Sequence, residues 1–367
     1  MRLLLLAGEA SGVLYANGIA ERARRMYPGV EIRGYGDYGF ETHDLAVMGF
    51  GAVVRKLFFF VRVKRTLERA IDGWRPDVVC TVDYPGMNLK LAAYAKRRGV
   101  RAVHVVCPQV WAWKAGRIPK IEASLDRLFC FFPFEPSLFR PGFAEFVGHP
   151  LAAAFATARA RAAEQPCGRP LVAVLPGSRR GEIERHLPTL VEATRGLAAQ
   201  IAIPAAGERA YVQIKALLAA SDVPAEAVRL GGARELLLQA DCAVVASGTA
   251  TLEAALARCP TVLVYRVGRL LAWFARRVVK GVRHVGLANI VWEKCRSADV
   301  RTAASAEEPM PELLQERFTA ANVRAYLERW LSDPEARAAA RRRLDASMAL
   351  LGGAGDPLGR VVEALRP

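Results

Sequence analysis

Residues 243–255 read Ala-Val-Val-Ala-Ser-Gly-Thr-Ala-Thr-Leu-Glu-Ala-Ala. A short apolar run stops at Ser247-Gly248-Thr249, and an Ala/Leu-rich helical pattern follows. In chain order that is a buried strand, a tight turn and a helix N-terminus. Gly248 lets a backbone or ligand approach closely. Ser247 and Thr249 are good helix-capping residues. A helix opened this way also turns free N–H groups and its positive dipole end towards an anion. Glu253, one turn in, can accept from a ribose hydroxyl. An ordinary capped helix in an α/β domain satisfies the same residues.

The same grammar recurs on both sides. Residues 2–7 read as a buried parallel strand, Gly8-Glu9-Ala10-Ser11-Gly12 as a glycine turn, and 14–26 as a helix. The spacing is not Gly-x-Gly-x-x-Gly, so no dinucleotide fingerprint is supported. Glu9 either bonds its own turn or meets a substrate. Val78–Val82 is a further strand, with Asp83 at its carboxyl end, where ligands of parallel sheets bind. Asp83 can act there as a general base on a hydroxyl, or cap the helix that starts near Asn88. A second strand–loop–helix series begins at Leu171–Leu175, and its first loop is Pro176-Gly177-Ser178-Arg179-Arg180-Gly181-Glu182. Gly177 and Ser178 can offer backbone N–H groups and Arg179 a bidentate fork for phosphate oxygens; a solvated surface turn is the plain alternative. Residues 155–170, rich in Ala, Arg and Glu and then in Pro and Gly, separate the two series. The expected class is α/β with parallel sheets. The expected division is 1–165, 166–345 and a C-terminal helical segment at 346–367, for which the N-terminal domain is one candidate packing surface.

A chain of 367 residues has room for two cores. The net charge of +16 points to an anionic partner: nucleotide, phospholipid surface or nucleic acid. Arginines are spread along the chain with no basic tail or aromatic RNA-binding motif, so nucleic acid is not expected. The seven cysteines form no Cys-x-x-Cys pair and the five histidines no ligand spacing, so buried thiols and no metal are expected. His149, beside Gly and Pro, reads as structural. The opening apolar run is too short for a signal peptide, and no run reaches membrane-spanning length. A cytosolic chain that touches a membrane is the resulting expectation.

Two stretches suit an interface. On a helix, Val53, Val54, Leu57, Phe58, Phe60 and Val61 share one broad face with six Lys and Arg residues interleaved between 55 and 69. A core helix with a charged outer face is the alternative. Residues 269–281 mix apolar and basic residues in the same way. Trp111 and Trp113 stand on a loop beside Lys114, Arg117 and Lys120, either as an amphipathic binding wall or as plugs between sheet and helix.

Nine segments then match one family in order: 8–12, Leu45-Ala-Val-Met-Gly49, Asp83-Tyr-Pro-Gly-Met-Asn88, Pro108-Gln-Val-Trp-Ala-Trp113, Phe132-Pro-Phe-Glu135, Gly148-His-Pro150, Leu175-Pro-Gly-Ser-Arg179, Ala246-Ser-Gly-Thr-Ala250 with Glu253, and Pro311-Glu-Leu-Leu-Gln315. The chain resembles the lipid-A-disaccharide synthases from its first strand to about residue 330. The resemblance implies a GT-B glycosyltransferase with two Rossmann-like domains facing a cleft. It implies transfer from UDP-2,3-diacylglucosamine to 2,3-diacylglucosamine 1-phosphate, inversion to a β-1′,6 linkage, release of UDP, and no metal or other cofactor. It implies Asp83 as base for the acceptor 6-hydroxyl. It places Ser178, Arg179, Ser247, Gly248, Thr249, Glu253, Asn289 and Gln315 around UDP, and Gly8, Glu9, Ser11, Asn88, Trp111 and Trp113 on the acceptor side. Peripheral attachment to the anionic inner leaflet follows, and a homodimer is compatible with it.

Three departures stand out. Val13 replaces the family's Asp, the loop around 34–44 is shortened and rewritten, and Ala288 replaces Pro before Asn289. The first two fall on the acceptor side. The rival readings are another GT-B UDP-sugar transferase, a UDP-sugar epimerase on the same fold, and a non-enzymatic UDP-sugar-binding protein at the membrane.

Overall fold

The computed structural model describes residues 1–8, 10–35, 39–40, 53–162, 168–219, 221–268, 283–295, 307–352 and 355–366, with the backbone alone at 10–11, 35, 39–40, 53–60 and 160–162. The chain divides into two compact units, Met1–Pro150 with Ala354–Pro367, and Leu151–Gly353.

The first unit holds a seven-stranded sheet in the order β3-β2-β1-β4-β5-β6-β7, every pairing parallel. Its strands are β1 (Arg2–Ala7), β2 (Glu31–Tyr35), β3 (Gly39–Phe40), β4 (Val78–Val82), β5 (Arg101–Val105), β6 (Arg127–Cys130) and β7 (Ala144–Phe146). The unbroken leucine run of β1 follows from burial on both faces. Leu3 and Leu5 enter one core with helix α1 (Ala10–Met26); Leu4 and Leu6 enter the other with α2 (Val53–Trp74) and α3 (Pro85–Arg97). The helix at Pro357–Glu363 belongs to the first core, through Leu358, Val361, Val362 and Leu365. Tyr27 Oη donates to Val362 O (3.2 Å) and Arg22 Nε to Asp356 Oδ1 (2.6 Å). The preceding helix, Pro334–Ala349, runs through position 346, so the returning segment starts only at 354. Leu365→Ala should cost about 2–5 kcal/mol by opening a cavity in this core. Urea unfolding followed by tryptophan fluorescence measures it, and a change under 1 kcal/mol would remove the C-terminal helix from the unit's stability.

The second unit repeats the plan. Its sheet runs β10-β9-β8-β11-β12-β13, again all parallel. The strands are β8 (Leu171–Leu175), β9 (Gln200–Ala205), β10 (Val228–Leu230), β11 (Cys242–Ala246), β12 (Thr261–Tyr265) and β13 (Glu312–Leu314). Counted from its own first strand, each sheet contains the order 3-2-1-4-5-6. In such sheets the chain reverses its winding direction between strands 1 and 4, and the crevice at their carboxyl ends is where ligands bind. The first unit places residue 8 and Asp83 there; the second places 176–179 and 247–249 there. Among the described residues, no helix is long and apolar enough to cross a membrane.

Candidate functional site

In the first unit, the chain leaves β4 in an unusual conformation. Asp83 (φ 52) and Tyr84 (φ 47) are both left-handed, and neither is glycine. Each such residue costs on the order of 1–3 kcal/mol and persists only where its surroundings enforce it. The enforcing residue is Asn88. Its buried Nδ2 donates to Asp83 O (2.8 Å), Val82 O (3.1 Å) and Leu6 O (3.4 Å). Asp83 N donates to Val105 O (2.9 Å), and Tyr84 N to Asp83 Oδ1 (2.8 Å). Asp83 does not cap the following helix, whose N-cap is Tyr84 without a side-chain bond. Gly8 completes the turn. A Cβ there would come within 2.5 Å of the Tyr84 ring, so only glycine lets Tyr84 fold over the end of β1. Helix α1 begins at Ala10, taking Ser11 and Gly12 into its first turn. Glu9 lies outside the described residues, as does the Ser11 side chain.

The expected acceptor residues therefore divide. Asn88 is buried and shapes the backbone that presents Asp83. The two tryptophans also part ways. Trp111 is buried, donates from Nε1 to Glu135 Oε1 (3.1 Å) and meets Phe134 edge-on. Trp113 is 40% exposed with Lys114 Nζ 4.2 Å from its ring centroid, so one indole plugs and the other presents a surface. His149 is buried against Phe131 and Phe132, and burial pulls its imidazole down to about 4. It stays neutral in the physiological range. The described part of the expected membrane face is Val61, 39% exposed; the side chains of Val53, Val54, Leu57, Phe58 and Phe60 lie outside the description. Residues 269–281 lie wholly outside it.

Cys107, Cys130 and Glu135 are buried, with donor atoms all within 4.8 Å of one another. Glu135 accepts from Trp111 Nε1 and from Phe132 N (3.1 Å). Burial, opposed by these bonds, pushes its carboxyl up to about 8, and the Cys107 thiol rises through its bond to Cys130 and burial. Protonated groups suit a hydrogen-bonded cluster better than a metal ion. From the ordinary range near 4.5 up to about 8, the folded chain keeps a proton that the unfolded chain releases, so stability falls as pH rises through that window. Glu135→Gln should flatten the fall of melting temperature across it. Parallel curves for the two proteins would refute the assignment.

In the second unit, four loops gather at the carboxyl ends of the central strands. After β8, Gly177 (φ 117) turns the chain, and Glu182 folds back beneath it; a Cβ on Gly177 would stand 2.8 Å from that carboxylate. Glu182 Oε2 accepts from Ser178 N and Arg179 N (both 3.3 Å), and Oε1 from Arg179 Nη1 (3.0 Å). Tyr265 adjoins it, and burial together with Glu182 raises its phenol. The Arg179 side chain is 77% exposed, so its fork is accessible to a ligand. The loop has the donors of an anion seat, held by the protein's own carboxylate.

The turn after β11 is more open. Gly248 is the N-cap of the helix Thr249–Leu256, and no side chain caps it. The Thr251 hydroxyl donates back to Gly248 O (2.7 Å) and Ser247 N to Val264 O (3.1 Å). Among the described residues, nothing accepts from Thr249 N or Ala250 N. A Cβ on Gly248 would meet no atom within 4 Å, so space lies in front of this helix end. Glu253 is half-buried one turn in; burial raises its carboxyl, Arg234 opposing and Glu235 reinforcing.

Asn289 is fully buried. Its Nδ2 donates to Met310 O (2.7 Å) and Glu312 Oε1 (2.9 Å), and its Oδ1 accepts from Met310 N (3.0 Å). Its amide holds the start of helix Leu287–Cys295 to β13 rather than facing solvent. Glu312 assists by accepting from Val285 N (3.0 Å) and Gly286 N (2.9 Å). Gln315 (φ 53) is half-buried, and with its amide oriented to satisfy both ends it brackets Val267, donating to O (3.2 Å) and accepting from N (3.3 Å).

Two residues tie these loops together without a motif to announce them. His186 is fully buried, with Nδ1 2.9 Å from Pro176 O and Nε2 3.1 Å from Arg266 N. Nδ1 can donate to Pro176 O while Nε2 accepts from Arg266 N. The Arg266 guanidinium lies 4.9 Å over the Phe318 ring and donates to Gln315 O (3.4 Å). The available signal was periodicity: Ile183, His186, Leu187 and Leu190 share one helical face, and a histidine on a buried face must find partners.

Over residues 3–340 the chain matches the family model described as lipid-A-disaccharide synthetase. It is 36% identical over 357 residues to the lipid-A-disaccharide synthase of Xylella fastidiosa (strain M12), covering 91% of this chain and 90% of that protein. To that of Chromohalobacter salexigens it is 34% identical over 392 aligned positions, covering 100% and 97%. Among solved structures, UDP-GlcNAc 2-epimerase from Neisseria meningitidis bound to UDP-GlcNAc matches with a TM-score of 0.61 at 11% identity, over 100% of this chain and 99% of that one. MurG of Acinetobacter baumannii matches at 0.57 and 12%, over 99% and 98%. At such identities the structural likeness speaks for the fold alone, which is GT-B.

Proposed function

The chain belongs to the lipid-A-disaccharide synthetase family, and from that premise we propose how its residues divide the work of making the lipid A disaccharide. The donor is UDP-2,3-diacylglucosamine and the acceptor 2,3-diacylglucosamine 1-phosphate. The second unit holds the UDP moiety. Arg179 and the N–H groups of Ser178 and Thr249 take the diphosphate, and Glu253 accepts from the ribose. Ser247 and Gly248 shape the turn. Asn289 and Gln315 act as positioning residues, since their amides fix backbone. The first unit presents Asp83. It takes the proton from the acceptor 6-hydroxyl as that oxygen attacks the donor anomeric carbon. The bond from that carbon to the diphosphate breaks, and UDP leaves with the electron pair. Attack from the face opposite UDP inverts the anomer. Preorganised donors stabilise the charge that grows on the leaving diphosphate.

The observation that carries this reading is the pair of switch-point loops. One sheet ends in a strained, exactingly braced carboxylate and the other in phosphate-competent N–H groups and an accessible arginine. The substrates carry acyl chains, so the protein works at the anionic inner leaflet, with the helix at 53–65 against it. The test is UDP release from the acylated donor in detergent micelles, with and without acceptor. Release that requires acceptor supports the transferase; conversion of the donor sugar without acceptor would favour an epimerase; neither product would leave only a UDP-sugar-binding role.

A further inference from the structure

Beginning at Pro85 and Gly86, just past the Asp83-Tyr84 turn, the first unit has a groove of about 320 Å³ between α2, α3 and the short helix α4 (Ile118–Ser124). Its floor includes Leu89, Ala93 and Ile121. Its rim carries Lys64, Lys90, Arg97, Arg117 and Lys120. Among the described residues, no acidic side chain lines it. Helix α3 has no carboxylate, α4 has one and α2 has two, against ten Lys and Arg residues on the three.

Those three carboxylates already have partners, one of them on the rim. Glu68 pairs with Lys64, Asp72 accepts from Tyr94 Oη (2.6 Å), and Glu122 accepts from Arg140 N (2.7 Å). Asp126, just past α4, pairs with Lys96 (3.2 Å). Among the described residues, Lys90, Arg97, Arg117 and Lys120 have no carboxylate partner; Arg97 lies 5.8 Å over the Tyr94 ring. Four unpaired cations around an apolar floor form an amphiphilic seat. Such a seat matches a phosphate joined to hydrocarbon.

We propose that this groove seats the headgroup phosphate of an anionic phospholipid, with the first carbons of the lipid on Leu89, Ala93 and Ile121. The apolar floor distinguishes a lipid phosphate from a free anion, which would gain nothing from it. Lys64 joins the groove to α2, so the seat is continuous with the helix whose aromatic run begins at Phe58. The inference deepens the membrane-surface reading above by naming the site, and its test is read apart from turnover.

The variant is Lys90→Gln/Arg97→Gln/Lys120→Gln. The matched control removes three cations from the second unit, Arg209→Gln/Lys215→Gln/Arg229→Gln. Both are sedimented at low salt with vesicles of phosphatidylglycerol and phosphatidylcholine. The groove variant should lose partitioning on the order of 100-fold, as expected for three cations near an anionic surface, and the control far less. Circular dichroism and UDP affinity should stay at wild-type values. If the triple variant loses its spectrum, Lys90→Glu alone, at an exposed position, should still weaken partitioning several-fold. Equal losses in variant and control would reduce the effect to diffuse attraction. Unchanged partitioning, or displacement from the vesicles by millimolar inorganic phosphate at constant ionic strength, would overturn the lipid seat. Loss of turnover in micelles with vesicle binding intact would count against the transferase reading and leave this one standing.

Discussion

Asp83→Asn is expected to lose about 100- to 10,000-fold in kcat, the usual contribution of a positioned general base, while UDP binds as tightly as to the wild type. The amide is the informative replacement. Its oxygen can still accept from Tyr84 N, so the left-handed turn at 83–84 keeps its local bond. Asn88 and Val105 continue to hold the backbone of residue 83. What disappears is the capacity to take a proton. Asp83→Ala removes the Tyr84 acceptor as well and should lose at least as much. Calorimetry with UDP separates the roles, because the proposed UDP contacts all lie in the other unit. Turnover within tenfold of wild type in Asp83→Asn would remove this carboxylate from the chemistry.

Arg179→Ala should weaken UDP binding roughly 10- to 150-fold, as expected for one charge-assisted contact of about 1.5–3 kcal/mol. Arg179→Lys should fall between, since an ammonium keeps the charge but lacks the planar fork. The side chain is mostly exposed and its ion pair with Glu182 is within its own loop, so little stability should follow the affinity. Glu182 sharpens the expectation. It holds the N–H groups of Ser178 and Arg179, and a diphosphate must take them from it. Glu182→Ala should therefore not mimic Arg179→Ala. Unchanged UDP affinity in Arg179→Ala would refute the donor assignment of this loop.

The fold was legible because parallel strands buried on both faces leave short apolar runs; those of β1, β8 and β11 are uninterrupted, and β4 admits only Thr81, whose hydroxyl donates to Val103 O (3.1 Å). The loops after them were legible for the same reason: the carboxyl end of a strand is where the chain must turn, and Gly, Ser and Asp mark the turn. Polar roles inside the fold were harder to read. Asn88 and Asn289 look like ligand contacts in a linear motif, yet both are buried and bond backbone groups. A motif records that a residue type is required at a position, not whether it faces the ligand or the chain that presents the ligand. Ser247 and Thr249 suggested caps, but the helix is capped by neither, and among the described residues nothing accepts from the N–H groups of Thr249 and Ala250. His186 and Arg266 escaped notice because most of their partners are backbone groups and a ring some fifty to eighty positions away. Pairing over that distance is set by the sheet order, which local pattern does not contain. The matched tryptophans show the same limit: their separation by burial depends on Glu135 reaching Trp111 from beyond β6.

The most direct test of the account is the product itself. The purified chain, given UDP-2,3-diacylglucosamine labelled at the anomeric carbon and 2,3-diacylglucosamine 1-phosphate, is followed by NMR and mass spectrometry. The account predicts a disaccharide 1-phosphate with a β-1′,6 linkage and one UDP released per bond formed. Absence of disaccharide under conditions where UDP binds, or an α-linked product, would contradict it.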